Sequence, residues 1–445
     1  MEQTQPSNVT ENSKPRVIPQ NIVGAFILVT VLFALWGFAN DITNPMVAAF
    51  KNILLISNFQ SSLVQFAFYG GYCVMAIPAA IFIKRFTYKI GILVGLALYA
   101  TGCLLFIPSG WLMAFWAFLI SYFIMTCGLS FLETSANPYI LSMGPEATAT
   151  RRLNFAQSFN PMGSLMGMLV AKNFILAKLD KSTEEARRVI QDTAPDQFAA
   201  IRQHDLDIII GPYMILGLFV LAALVVFAIA KLPHKGEEDK SVHVGATLKR
   251  LFTNKKYLEG VIAQAFYVGA QIMCWTFIIQ YAGNELGMEK ATAQMYNMVA
   301  MIIFVSSRFI CTFLLRFFSS GGLLMNLAIG GFCLVLGTIF IRGMTGLYCL
   351  VGVSACMSLM FPTIYGIALK GLGDDAKLGA AGLIMAIGGG CLMPPMQGAI
   401  MDMADFNLGF MTLSSTRASF VLPVICFVVI AIYGFRTSAI HKHQD

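Results

Sequence analysis

The chain has 445 residues, of which 57% are hydrophobic and only 12% charged, with a mean hydropathy of +0.72 and a formal net charge of +7. Soluble domains carry about 25% charged residues, so this composition excludes an ordinary water-facing globule. It implies a surface that meets lipid. The positive balance needs no nucleic acid to explain it.

The first 20 or so residues are polar and lack a basic segment leading into a short apolar run and a cleavage site, so the first apolar segment is expected to be a retained span. A membrane-crossing helix needs about 20 mostly apolar residues. Such runs recur at 23–50, 60–83, 90–109, 111–142, 153–176, 208–231, 259–283, 294–315, 322–341, 346–369, 378–401 and 417–436, numbered spans 1 to 12. The expected fold class is an all-α integral membrane protein with twelve transmembrane helices in two six-helix bundles. The expected domains are a cytoplasmic arm (1–22), a first bundle (23–231), a cytoplasmic linker (232–258), a second bundle (259–436) and a cytoplasmic tail (437–445). Lysine and arginine set the orientation. Nineteen lie on the side of the termini and ten on the other, six of those ten in or beside the long loop 178–207. Cytoplasmic loops carry the excess, so both termini are expected in the cytoplasm; the lack of disulfide spacing and of a targeting sequence fits a bacterial inner membrane. A weak repeat joins the halves. Pro138 followed by Gly163 and Gly167 is echoed about 225 residues later by Pro362 followed by Gly388, Gly389 and Gly390, a pattern of transporters whose binding site lies between two halves at the midplane.

Ionisable groups inside spans cost about 2.5–3.5 kcal/mol on insertion scales and mark function. Span 1 carries Asn40, Asp41 and Asn44 within roughly 100° of one another on a helix. Span 4 carries Glu133, with Asn137 four residues on and sharing its face. Pro138 has no N–H and frees the carbonyl of Thr134. A carboxyl that meets dry protein and water alternately can take up and release a proton, because burial disfavours its charged form. Glu133 and Asp41 are therefore the candidate proton carriers. Span 5 places Gln157 and Asn160 on one face. Span 7 aligns Gln264, Tyr267, Gln271 and Trp275, and span 10 aligns Ser354, Ser358, Phe361 and Tyr365. Amides that both donate and accept, beside aromatic faces, suit a neutral polyhydroxylated ligand; interhelical hydrogen bonding is the other use of such stripes. Arg308 in span 8 ends the stripe Asn297, Met301, Phe304, and is expected to act as a gate or ion-pair partner rather than a proton carrier. The ten cysteines lie in apolar segments without metal-ligand spacing, and the five histidines lie in loops or the tail. No metal and no cofactor are expected.

The runs LETSANP (132–138), GPE (144–146), RLNFAQSFN (152–160), AQAFYVGAQIMCW (263–275), FPTIYGIALKGLG (361–373) and GGGCLMPPMQG (388–398) resemble those of the fucose–galactose–glucose:proton symporter branch of the major facilitator superfamily. The resemblance covers about 20–436. It implies import of a neutral hexose with protons, Glu133 as the essential carboxylate facing the sugar, and Gln157 and Asn160 lining the cavity. Three positions depart from the branch. Asn44 stands where the branch has its proton-linked aspartate, with Asp41 one helical turn earlier. Phe361 stands where the fucose carrier has tyrosine. Lys84 stands where an aspartate is usual. The function expected is proton-coupled uptake of L-fucose or a related hexose; glucose or galactose uptake, a uniporter and an exporter remain as alternatives. Besides sugar, protons and lipid, no partner is expected, and the chain is expected to be a monomer.

Overall fold

The structure, a computed structural model, describes residues 18–144, 152, 155–232, 244–314, 317–372, 375–407 and 412–441. The greater part of the N-terminal arm, the sequence 233–243 of the linker and the end of the tail lie outside the described residues, as do Pro145, Glu146, Leu153 and Asn154 from the family-like runs.

Ten of the described helices are long and apolar enough to cross a membrane, and an eleventh is formed by Lys255–Thr276 with Ile278–Leu286, bent by 42°. The remaining crossing, span 5, is carried by Phe159–Val170 and a π-helical turn, Ala171–Leu176. Span 1 is Val23–Thr43 and Met46–Leu54, broken at Asn44–Pro45, where proline supplies no N–H. Spans 2 and 4 are Asn58–Arg85 and Phe115–Ser142, and span 11 is Ala376–Met385, a tight turn and Gly389–Met401.

Several boundaries differ from the apolar runs. Span 4 was expected from 111, but Phe106–Leu112 closes span 3, because Met113 takes a left-handed φ of 46° and Ala114 is extended. The loop 178–207 is largely helical. It holds Glu184–Thr193 and the first part of span 6, Pro195–Ile229, whose proline opens the helix well before the apolar run starts. The buried pair Arg187–Asp205, 2.5 Å apart, ties these two helices together.

Small residues bring the helices of each half together, as is usual where lipid offers no hydrophobic drive between helices. A Cβ on Gly163 of span 5 would overlap the Ala34 carbonyl of span 1, and one on Gly389 of span 11 would overlap the Ala265 carbonyl of span 7. Both halves thus use one packing device, and the weak repeat in the sequence has a structural counterpart.

The halves meet mainly along spans 2 and 11. Gly398 abuts the Asn58 carbonyl, Gly390 the Tyr69 ring and Gly388 the Cys73 side chain. Polar contacts between the halves gather towards the end away from the termini. There Asp402 accepts from the backbone N–H of Asn58 and Phe59 and from Asn58 Nδ2, each at 2.8 Å. Lys181 pairs with Glu289 at 2.9 Å, and Gln65 Nε2 donates to Thr276 Oγ1 at 3.0 Å. At the terminus end Phe155, Gln157, Pro362 and Gly366 are exposed. The chain is closed on the side opposite its termini.

Candidate functional site

Span 4 sets Glu133 deep in the first half, 7% exposed, with Oε2 lacking a hydrogen-bond partner. Around Pro138 side chains bond back onto backbone carbonyls one turn earlier. Asn137 Nδ2 donates to the Glu133 carbonyl at 3.1 Å, and the Thr134 hydroxyl donates to Ser130 at 2.7 Å. Asn137 Oδ1 accepts in turn from Gln157 Nε2 at 3.1 Å. Hydrogen bonds therefore link the Glu133 backbone carbonyl through Asn137 to the exposed Gln157, while the Glu133 carboxyl stands apart from them. Asn160 is half-buried and donates to the Phe33 carbonyl at 3.3 Å.

Span 1 holds Asp41, 4% exposed, with Asn44 Nδ2 donating to its Oδ1 at 3.0 Å. Asn40 points a buried Oδ1 at no partner, and the buried Nε1 of Trp36 one turn earlier lies within reach of the Tyr72 hydroxyl on span 2. In the second half, Gln264 is fully buried with both amide atoms unpartnered, and Gln271 is half-buried. Buried polar groups are normally paired. Asn40, Glu133 and Gln264 each carry a buried polar atom with no hydrogen-bond partner among the described residues. Aromatic rings stand on spans 7 and 10. Tyr267 meets Phe361 edge-on with centroids 6.2 Å apart, and Phe361 stacks on Tyr365 at 6.2 Å.

Other members of the stripes are engaged within the protein. The Tyr267 hydroxyl donates to the Met357 carbonyl at 3.2 Å, and the residue is fully buried. Trp275 Nε1 donates to Ser354 at 3.0 Å, and Ser358 bonds back to Ala355 at 2.8 Å. Arg308 Nε donates to the Ser358 carbonyl at 3.1 Å while its guanidinium lies 4.8 Å from the Phe304 ring centroid. These bonds hold spans 7, 8 and 10 together. The sequence reading did not single out Trp36, Gln65, Tyr69 or Tyr72. Their signal was present as polar tips inside apolar runs, but a lone amide or phenol in a span does not announce which way it faces.

The family model described as Major Facilitator Superfamily matches residues 27–385. The chain belongs to the major facilitator superfamily. Within that superfamily it is 54% identical over 430 residues to the L-fucose-proton symporter of Haemophilus influenzae, covering 96% of this chain and 99% of that protein. It is 29% identical to a glucose/galactose transporter of Brucella abortus, covering 92% and 93%. Among solved structures it is similar to the superfamily transporter FucP in the outward conformation, at 33% identity and a TM-score of 0.71, covering 94% of this chain and all of that one. Two six-helix bundles are the architecture of this superfamily, and the crossings described above fit it.

Proposed function

We propose that this chain is a proton-coupled symporter, and not an enzyme, importing a neutral hexose, L-fucose or a close analogue, by alternating access between its halves. The observation that carries this reading is Glu133: a carboxyl buried inside a membrane span with an unpartnered oxygen, on the same helix turn as Asn137, which hydrogen-bonds the exposed Gln157. The uncharged donors and acceptors around it match a polyhydroxylated ligand, and the Tyr267, Phe361 and Tyr365 rings match its C–H faces. The named activity of the Haemophilus influenzae relative agrees with this chemistry.

The excess of lysine and arginine on the terminus side supports a bacterial inner membrane location with both termini cytoplasmic. In that orientation the polar ties between the halves, at Asp402, Lys181 and Gln65, lie on the outer side. Glu133 binds a proton from the outside, with Asp41 as second carrier; sugar binds between the halves; the halves rock; both ligands leave on the inside. Coupling requires that proton and sugar bias the same two-state equilibrium.

The experiment is sugar-induced alkalinisation. L-fucose, galactose and glucose are added singly to de-energised, weakly buffered cells expressing the chain, and external pH is recorded. A rise with one sugar, absent in Glu133→Gln, supports symport and names the substrate. Uptake of radiolabelled sugar without any pH change would convert the reading to uniport, and uptake of no sugar would refute import.

A further inference from the structure

A hydrogen-bonded line leaves Asp41 and crosses into the other half of the protein. Asn44 Nδ2 donates to Asp41 Oδ1 at 3.0 Å. Asn44 Oδ1 accepts from Gln65 Nε2 at 3.0 Å. The same nitrogen donates to Thr276 Oγ1, again at 3.0 Å. Gln65 is fully buried, and Asp41, Asn44 and Thr276 are each at most 4% exposed. A side-chain amide nitrogen has two hydrogens, and here one serves each half. Thr276 also ends the first segment of span 7, beside the 42° bend at Phe277. The line therefore runs from a buried carboxyl to a break in a helix, through a bond that must part when the halves separate on this side.

We propose that Gln65 is a positioning residue that ties the proton affinity of Asp41 to closure of the two halves. With the halves closed, Thr276 holds Gln65, Gln65 holds the Asn44 oxygen, and the Asn44 NH2 is thereby turned onto Asp41. A donor aimed at a carboxylate stabilises its charged form, so closure on this side favours proton release. When the halves part, the Thr276 bond is lost, Gln65 and Asn44 are free to turn, and Asp41 binds its proton more readily. This is the sign a symporter needs: high affinity while open to the proton source, lower affinity when open to the cell. Ser164 on span 5 is a second donor to Asp41, stronger than Asn44, but it belongs to the same half and has no tie to Thr276, so its contribution does not follow closure. Among the described residues Tyr69 on span 2 is also within electrostatic reach of Asp41.

The inference rests on the symport reading, and its test separates the two. Thr276→Val removes the hydroxyl and keeps the volume; Thr276→Ser restores the hydroxyl. In cells, Thr276→Val is expected to continue L-fucose counterflow, which moves no net protons, while the steady-state accumulation ratio falls about tenfold and the pH midpoint moves up by about one unit. Thr276→Ser returns both, and Gln65→Leu reproduces Thr276→Val. Spin labels at Gln191→Cys and Met403→Cys, on a cysteine-depleted background of the full chain, report the separation of the halves without any sugar. The pH at which that separation is half-populated is expected to move by the same amount in Thr276→Val. An unmoved midpoint in both measurements would overturn the proposal, as would equal impairment by Val and Ser, which would reduce Thr276 to packing. If wild type carries no sugar, the symport reading fails, and the spin-label midpoint alone still decides whether the line senses Asp41.

Discussion

Asp402 is the place to weaken closure without touching the sugar site. Its carboxylate, from the C-terminal half, accepts three bonds of 2.8 Å at the first turn of span 2, two from backbone N–H groups and one from Asn58 Nδ2. Asp402→Ala removes all three. The span 2 helix keeps its own cap, because Ser57 accepts from the Gln60 N–H and the Gln60 side chain accepts from the Ser57 N–H. The loss therefore falls on association of the halves rather than on the helix. At about 1 kcal/mol net per bond, closure is weakened by about 3 kcal/mol, or ~100-fold in the equilibrium between the two phases. Asp402→Asn presents one acceptor oxygen and turns a donor towards Phe59 N–H, so an intermediate shift is expected. The assay is the spin-label distance distribution between Gln191→Cys and Met403→Cys. A broadened, longer distance in Asp402→Ala supports the calculation. A distribution identical to wild type would mean that packing of span 2 on span 11 closes this side alone, and the argument from these bonds would be wrong.

Further outcomes follow from the packing and the charges. Gly163→Val and Gly389→Val each drive a side chain into a carbonyl of the neighbouring span; each is expected to destabilise its half by about 1–3 kcal/mol or more, read as a lower unfolding temperature in detergent. Asp205→Ala leaves the buried Arg187 guanidinium without its main partner, a loss of about 3–5 kcal/mol that the same melting assay measures; an unchanged temperature would show that the pair is dispensable. Arg250 binds Asp375 through two bonds, of 2.6 and 2.8 Å, and holds the Asp375 carboxyl below the usual carboxylate range by hydrogen bonding, against a smaller opposing effect of burial. With the folded value depressed, the tie between helix Val244–Thr253 and the span 10–11 connection is fully present above the ordinary aspartate range and is lost as pH falls through the depressed value. Asp375→Asn is therefore expected to speed tryptic cleavage at Lys249 at pH 7, and the difference from wild type in exchange of this helix is expected to vanish only in strong acid.

The departures from the sequence reading have local and distant causes. The start of span 4 was misplaced because nothing in the apolar run 106–112 signals that Met113 turns left-handed. Span 6 was read short because Pro195–Ile229 begins with polar turns that lie beyond the apolar run. Trp275, Ser354 and the Tyr267 hydroxyl fell on the right faces, yet they bond one another or nearby carbonyls. Periodicity gives the face of a helix, and the neighbouring helix decides whether a polar group there is satisfied or left for a ligand. Glu133 and Asn137 were legible because their spacing lies within one run of span 4, and the structure adds the bond from Asn137 to Gln157 on span 5.

By itself the sequence determined that this is a multispanning α-helical membrane protein, roughly where its helices lie, and which buried carboxyls require an explanation. Those properties are local: the hydrocarbon core demands long apolar helices with satisfied backbones, and it makes each charge conspicuous. Only the tertiary structure decided which side is closed and what closes it. Gln65 and Thr276 are 211 residues apart, and Asn58 and Asp402 are 344 apart. Such pairs meet only because two separately packed halves come to rest in one of at least two relative positions, and no helical period or apolar run encodes that relation.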